Sequence, residues 1–73
     1  MSTANLIKMA NQIAQYFANE PDQQQAMLSV RNHLKMFWTP GMRMELLAWQ
    51  TEHQGAQLHP LVQTAVSGAG WEA

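Results

Sequence analysis

The sequence predicts an all-α protein, a small bundle of three main helices followed by a short C-terminal helix. Apolar residues recur at spacings of three and four along most of the chain, which is the period of one helix face. Proline, glycine and capping residues divide this pattern into four segments, with breaks near residues 20–22, 39–41 and 55–60. A chain of 73 residues is short enough for one domain, so we expect residues 1–73 to fold together.

The first predicted helix covers residues 3–19, and Ser2 or Thr3 can cap its start. Ile7 lies beside the apolar stripe, which suggests that part of this helix contacts something else. The stripe itself is formed by Leu6, Met9, Ala10, Ile13, Tyr16 and Phe17.

The second predicted helix covers residues 22–38 and begins at Asp22, whose carboxylate can accept from the first free backbone N–H groups. Arg31 and Lys35 lie four residues apart with no carboxylate placed to pair with them on this helix, so we expect them on a solvated face. The apolar stripe is formed by Ala26, Met27, Val30, Leu34 and Phe37.

The third predicted helix covers residues 39–54. Thr39 is a good N-cap, Pro40 fits the first helical position, and Gly55 provides a C-terminal stop. One row of this helix is formed by Met42, Leu46, Trp49 and His53.

The fourth predicted helix covers residues 60–67 and starts at Pro60, with His59 as a possible cap. It ends in a small-residue segment, and we expect residues 68–73 to form a loose tail.

The composition argues against several classes of protein. The formal net charge is −1, only 12% of residues are charged, and there is no basic stripe of the kind that nucleic-acid binding requires. Cysteine is absent, which excludes disulfides and thiolate metal sites. No apolar run approaches the length of a membrane span, and the first residues do not resemble a signal peptide, so we expect a cytoplasmic protein.

We expect no catalytic, cofactor-binding or metal-binding residues in this chain. His33, His53 and His59 come from three different segments, and no pair has the spacing of a helical metal site. The serines lie in no nucleophile-elbow context, and there is no glycine-rich phosphate loop. The sequence therefore predicts a protein that is not an enzyme by itself.

The residues on either side of the Thr39–Gly41 break are those we expect to bind a partner protein. Hydrophobic residues make up 47% of the chain, more than four short helices can easily bury. Trp, Met and Arg are enriched at protein interfaces, and Trp and Arg are frequent hot spots. The predicted partner-binding residues are Phe37, Trp38, Met42 and Arg43. Burial in the chain's own core is the alternative for Phe37, and also for Trp49.

Three blocks in order resemble a known family: NLIKMANQIAQYF at 5–17, HLKMFWTPGMRMELL at 33–47 and LHPLVQTAV at 58–66. They are similar to the delta subunit of NAD-dependent, molybdenum-containing formate dehydrogenase. The most specific piece is the FWTPGMR segment at 37–43.

The resemblance implies a non-catalytic accessory subunit of a cytoplasmic complex that oxidises formate to CO2 and passes electrons to NAD. In that family the large catalytic subunit holds bis-molybdopterin guanine dinucleotide and iron–sulfur clusters, and other subunits carry FMN and further clusters. The delta subunit would bind the large subunit and assist its assembly, cofactor insertion or stability.

Two other hypotheses remain open from the residues alone. The chain could be a self-associating helical interaction module unrelated to formate, forming a homodimer when isolated. It could also be a small DNA-binding regulator, if the break at 39–41 belongs to a helix-turn-helix. The candidate recognition helix carries one cation near its start, which is too little for several phosphate contacts.

Overall fold

The computed structural model describes residues 2–67, which form four helices joined by short loops. These are α1 (Thr3–Phe17), α2 (Gln23–Phe37), α3 (Pro40–His53) and α4 (Pro60–Ala65). The all-α prediction of three main helices and a short fourth is confirmed. Helices α2 and α3 are slightly shorter than predicted, because their first and last predicted residues are caps. Helices α1 and α4 begin at the predicted residue and end slightly earlier than predicted. The predicted tail at 68–73 lies outside the described residues.

Side chains at the helix starts satisfy backbone N–H groups that have no partner within their helix. Ser2 Oγ accepts from the N–H of Asn5, and Thr39 Oγ1 accepts from the N–H of Met42. Asp22 Oδ1 accepts from two N–H groups of α2, and His59 Nδ1 accepts from the N–H of Leu61. The four predicted N-caps are confirmed.

The hydrophobic core lies between α1 and the other three helices, each of which contacts α1, while α2 also packs against α3 and α4. Ile7 is buried in this core, although the sequence placed it beside the stripe. Because α1 has neighbours on several sides, its buried face is wider than one stripe. The buried cluster consists of Leu6, Ile7, Ala10, Ala14, Val30, Leu34, Trp38, Leu46, Leu58, Val62, Ala65 and Val66.

The end of α2 corrects the predicted stripe at Phe37. Phe37 is 68% exposed, whereas its neighbour Trp38 is 5% exposed and belongs to the core. Helical geometry separates neighbouring side chains by about 100°. However, α2 ends at Phe37, and Trp38 has an extended backbone with φ −94° and ψ 146°. The indole nonetheless continues the row of buried Val30 and Leu34, because the N–H of Trp38 still donates to the carbonyl of Leu34 at 3.0 Å. The ring of Phe37 projects about 100° away and stays outside.

Arg31 is also placed differently from the prediction of a solvated face. Its Nε donates to the carbonyl of Ala65 at 2.8 Å, and its NH2 donates to the carbonyl of Ser67 at 3.0 Å. These carbonyls lie at and just beyond the end of α4, where the last carbonyl groups have no partner within the helix. Arg31 therefore joins α2 to the C-terminal end of α4.

Arg31→Met should lower the free energy of unfolding by about 1.5–3 kcal/mol, because a charged donor is lost while the carbonyls of α4 remain. Urea unfolding followed by far-UV circular dichroism measures this difference. Lys35→Met removes the same charge from an exposed position of the same helix and should cost less than about 1 kcal/mol. Equal losses for the two variants would contradict the capping role of Arg31.

The loop between α3 and α4 is held by side chains from three helices. Asn11 of α1 donates to the carbonyl of Gln57 and accepts from the N–H of His59, both at 2.8 Å. The indole N–H of Trp49 donates to the carbonyl of Ala56, also at 2.8 Å. Gly55 has a φ of +79°, and a Cβ there would lie 2.7 Å from the side chain of Gln63. The predicted stop at Gly55 is thus both a turn and a point where the backbone closely approaches the side chain of Gln63.

Within residues 2–67, no helix combines the length and hydropathy needed to cross a bilayer.

Candidate protein-binding groove

An apolar groove of about 580 Å³ opens between the C-terminal halves of α1 and α2 and the start of α3. We call it the α1–α2 groove. Its lining residues are Met9, Gln12, Ile13, Tyr16, Phe17, His33, Phe37, Trp38 and Met42.

The groove has a buried floor and an exposed aromatic rim. Trp38 lies at the floor, where its ring completes the core. Ile13, Phe17 and Met42 are half-buried around it and pack against the core. Tyr16 and Phe37 form the rim, and they are 75% and 68% exposed. Large aromatic rings exposed beside an apolar groove are typical of a protein interaction surface.

The rim rings contact half-buried rings that connect α1 to α2. Tyr16 and Phe17 lie edge to face with ring centroids 5.0 Å apart, and Phe17 lies 6.4 Å from the imidazole of His33. The His33 ring in turn lies 4.7 Å from that of Phe37. These separations are those of favourable aromatic pairs. They restrict the rings, so less side-chain entropy is lost when a partner covers them.

None of the residues that line the α1–α2 groove is an Asp, Glu, Lys or Arg. The polar side-chain groups among these residues are the amide of Gln12, the hydroxyl of Tyr16, the imidazole of His33 and the indole N–H of Trp38. A partner charge buried here would lose its hydration without gaining an opposite charge, which is unfavourable. The surface suits an uncharged, apolar partner segment.

The four predicted partner-binding residues do not lie on one accessible surface. Phe37 is at the rim of the groove, Met42 is in its wall and Trp38 is at its floor. Arg43 is not among the lining residues and is 8% exposed. Its NH1 donates to the carbonyls of Lys35 and Trp38, at 3.1 and 2.8 Å. An acidic partner is therefore not required to explain its position, because the C-terminal end of α2 favours a cation.

Tyr16 is the rim residue that sequence reasoning missed as a binding candidate. The helical stripe assigned it to the core together with Phe17. The two rings are neighbours on α1 and project about 100° apart. That separation was the available signal that one of them would lie outside the core.

The three histidines lie apart from one another, and each makes a different contact within the chain. His59 caps α4, His33 belongs to the α1–α2 groove, and His53 stacks on Trp49 with ring centroids 3.9 Å apart. In the part of the chain that the structure describes, no three His, Cys, Asp or Glu side chains are grouped so that they could hold a metal ion.

Comparison with known proteins identifies the family. Residues 5–66 match the family described as NADH-dependent formate dehydrogenase delta subunit, FdsD. This range includes the three blocks at 5–17, 33–47 and 58–66. No curated protein and no solved structure gave a significant match. Because the matched residues cover most of the sequence, the chain belongs to the FdsD family of formate dehydrogenase delta subunits.

Proposed function

We propose that this chain is a non-catalytic accessory subunit that binds the large molybdenum-containing subunit of a cytoplasmic, NAD-dependent formate dehydrogenase. In this proposal the partner subunits carry bis-molybdopterin guanine dinucleotide, the iron–sulfur clusters, FMN and the NAD site. The delta subunit assists assembly, cofactor insertion or stability of the large subunit. The observation that carries the proposal is the uncharged α1–α2 groove, with Tyr16 and Phe37 exposed at its rim, in a member of the delta-subunit family.

The groove supports a binding role because its composition is that of an interface centre. Aromatic residues and Met are enriched there, and charged residues are depleted. Covering Tyr16 and Phe37 would remove two large apolar side chains from water, which favours association. The groove indicates the face of the chain that binds, and the family match supports a formate dehydrogenase complex as the partner.

Co-expression of the tagged chain with the large subunit, followed by affinity purification, tests the proposed partner. We expect near-stoichiometric recovery of the large subunit. Recovery of the tagged chain alone would contradict the proposal. The assistance role is tested in a strain that lacks the chain, where the large subunit should contain less molybdenum and restored expression should recover it.

Tyr16→Ser and Phe37→Ser together should weaken binding to the large subunit at least about 30-fold, as expected for hot-spot residues that contribute about 2 kcal/mol or more. Because both side chains are exposed, the isolated chain should keep its helical signal. The matched control is Met44→Ser, since Met44 is 62% exposed but does not line the groove. Weaker binding of the Met44 variant with normal binding of the double variant would place the interface elsewhere.

Self-association is the second candidate function, and the same exposed rings favour it. A chain with Tyr16 and Phe37 uncovered can bury them against a second copy when its partner is absent. Sedimentation of the purified chain across a range of concentrations would then show a monomer–dimer shift. A dimer that persists when the large subunit is added in excess would favour this function over the accessory role.

A further inference from the structure

One face of α2 combines two positive charges with an exposed leucine. A hollow of about 310 Å³ opens on this face, and we call it the α2 hollow. Leu28 is 41% exposed there, and Arg31 and Lys35 provide the charges. Neither α2 nor α4 contains an Asp or a Glu, so no acidic residue of these two helices balances them. The lining residues of the α2 hollow are Gln25, Leu28, Ser29, Arg31, Asn32 and Lys35.

We propose that the α2 hollow is covered by the segment that follows α4, residues 68–73 with the sequence GAGWEA. In this proposal the indole of Trp71 packs on Leu28, and the carboxylate of Glu72 pairs with Lys35. The segment is then a strap across α2 and not the loose tail that its small residues predict. The contact is made within the free chain, so it goes beyond the proposed function and is tested without the large subunit.

The first argument is the position from which the segment starts. The carbonyl of Ser67, the last residue described, accepts from the guanidinium of Arg31 at 3.0 Å. Arg31 itself lines the α2 hollow. Leu28 and Lys35 lie about one turn before and after it, which is about 4.5–6 Å along the helix axis. Because the chain from Ser67 to Trp71 can span about 13–14 Å, both proposed contacts are within its reach.

The second argument is the direction of α4, which runs along α2 in the same sense. Leu61, near the start of α4, lines a common cavity with Met27. The carbonyl of Ala65, the last residue of α4, accepts from Arg31 at 2.8 Å, one turn later in α2 than Met27. The chain therefore follows α2 toward its C-terminal end and reaches residue 67 beside the α2 hollow. A segment that continues in this direction passes toward Lys35.

The third argument is the chemical match between the segment and the α2 hollow. A large aromatic ring such as that of Trp71 gains by covering an exposed apolar side chain such as Leu28. The carboxylate of Glu72 has the charge that Lys35 attracts. An exposed ion pair contributes little by itself, so the ring and the carboxylate act together. The two glycines before Trp71 have no side chain and allow the backbone to approach α2 closely.

The oxidation rate of Trp71 by hydroxyl radicals in the full, free chain tests the contact, because the reagent modifies exposed indoles. Leu28→Glu removes the apolar contact and places a negative charge near Glu72. Oxidation of Trp71, located by mass spectrometry, should then rise at least about threefold, since the ring loses its apolar cover. Met44→Glu is the matched control, because Met44 is 62% exposed and does not line the α2 hollow. It should leave the oxidation rate of Trp71 unchanged.

Charge reversal tests the ion pair separately. Lys35→Glu alone and Glu72→Lys alone should each raise the oxidation rate of Trp71 about twofold to fivefold, the range for an exposed ion pair. The two changes together should restore the original rate, with circular dichroism showing that each variant is folded. Equal oxidation of Trp71 in the original chain and in Leu28→Glu would overturn the inference. So would single reversals that the double change does not rescue, or protection of Trp71 that grows with protein concentration and so comes from a second copy.

Discussion

Trp38→Ala should leave most of the isolated chain unfolded. Replacing a buried Trp by Ala costs about 3–5 kcal/mol, because apolar burial is lost and a cavity remains. The core of a domain this small rarely supplies more than about 3–5 kcal/mol in total. Trp38 is 5% exposed and contacts the core at the end of α2. Far-UV circular dichroism and urea unfolding should therefore show a large loss of helix at low denaturant.

The adjacent residue provides the control for this prediction. Phe37 precedes Trp38 directly but is 68% exposed, so Phe37→Ala should change the free energy of unfolding by no more than about 0.5 kcal/mol. Because both residues are aromatic and adjacent, a difference between the two losses of unfolding free energy reports the effect of burial. A folded Trp38 variant, or a Phe37 variant that is the less stable of the two, would show that the end of α2 is oriented differently.

Arg43→Met should lower the free energy of unfolding by about 1.5–3 kcal/mol, the range for hydrogen bonds from a charged group. Arg43 is 8% exposed and its NH1 donates to the carbonyls of Lys35 and Trp38. Methionine retains the apolar stem but provides no donor, so these carbonyls at the end of α2 lose their partner. Urea unfolding of the purified variant measures the loss.

Lys8→Met is the control for Arg43, because it removes one positive charge from an exposed position on α1. Its effect should stay within about 0.5 kcal/mol. If the two variants lost the same free energy of unfolding, the loss would be due to the removal of one positive charge and not to the contacts of Arg43. If Arg43→Met were as stable as the original chain, these contacts would contribute nothing to folding.

The helices could be predicted from the sequence because their signals are local. Thr39 and Pro40 mark the start of α3 through a side chain and a ring that act within one turn. Asp22 marks α2 in the same way. Three of the five residues in the predicted α2 stripe are buried. The 3.6-residue period places them on one face of the helix, and this face packs against the core.

The errors occur where the outcome depends on residues far away in sequence or on the end of a helix. Arg31 pairs with carbonyls more than thirty positions later, and nothing near it in sequence indicates this. At the end of α2, the row of buried Val30 and Leu34 continues to Trp38, whereas the predicted stripe continued to the neighbouring Phe37.

The α1–α2 groove could be predicted only in part. Phe37, Trp38 and Met42 were predicted as binding residues from their type and from the break at 39–41, and all three line the groove. Tyr16 comes from α1, and only the packing of α1 against α2 brings it to the same surface. Whether these residues bind the large subunit stays a prediction.

Hydroxyl-radical footprinting of the free chain and of its complex with the large subunit tests the central claim most directly. The reagent oxidises exposed aromatic and sulfur-containing side chains, and mass spectrometry locates the change. Tyr16 and Phe37 should be modified in the free chain and protected in the complex, while Met44, outside the groove, remains reactive in both. Protection of Met44 with unchanged modification of Tyr16 and Phe37 would contradict binding through the α1–α2 groove.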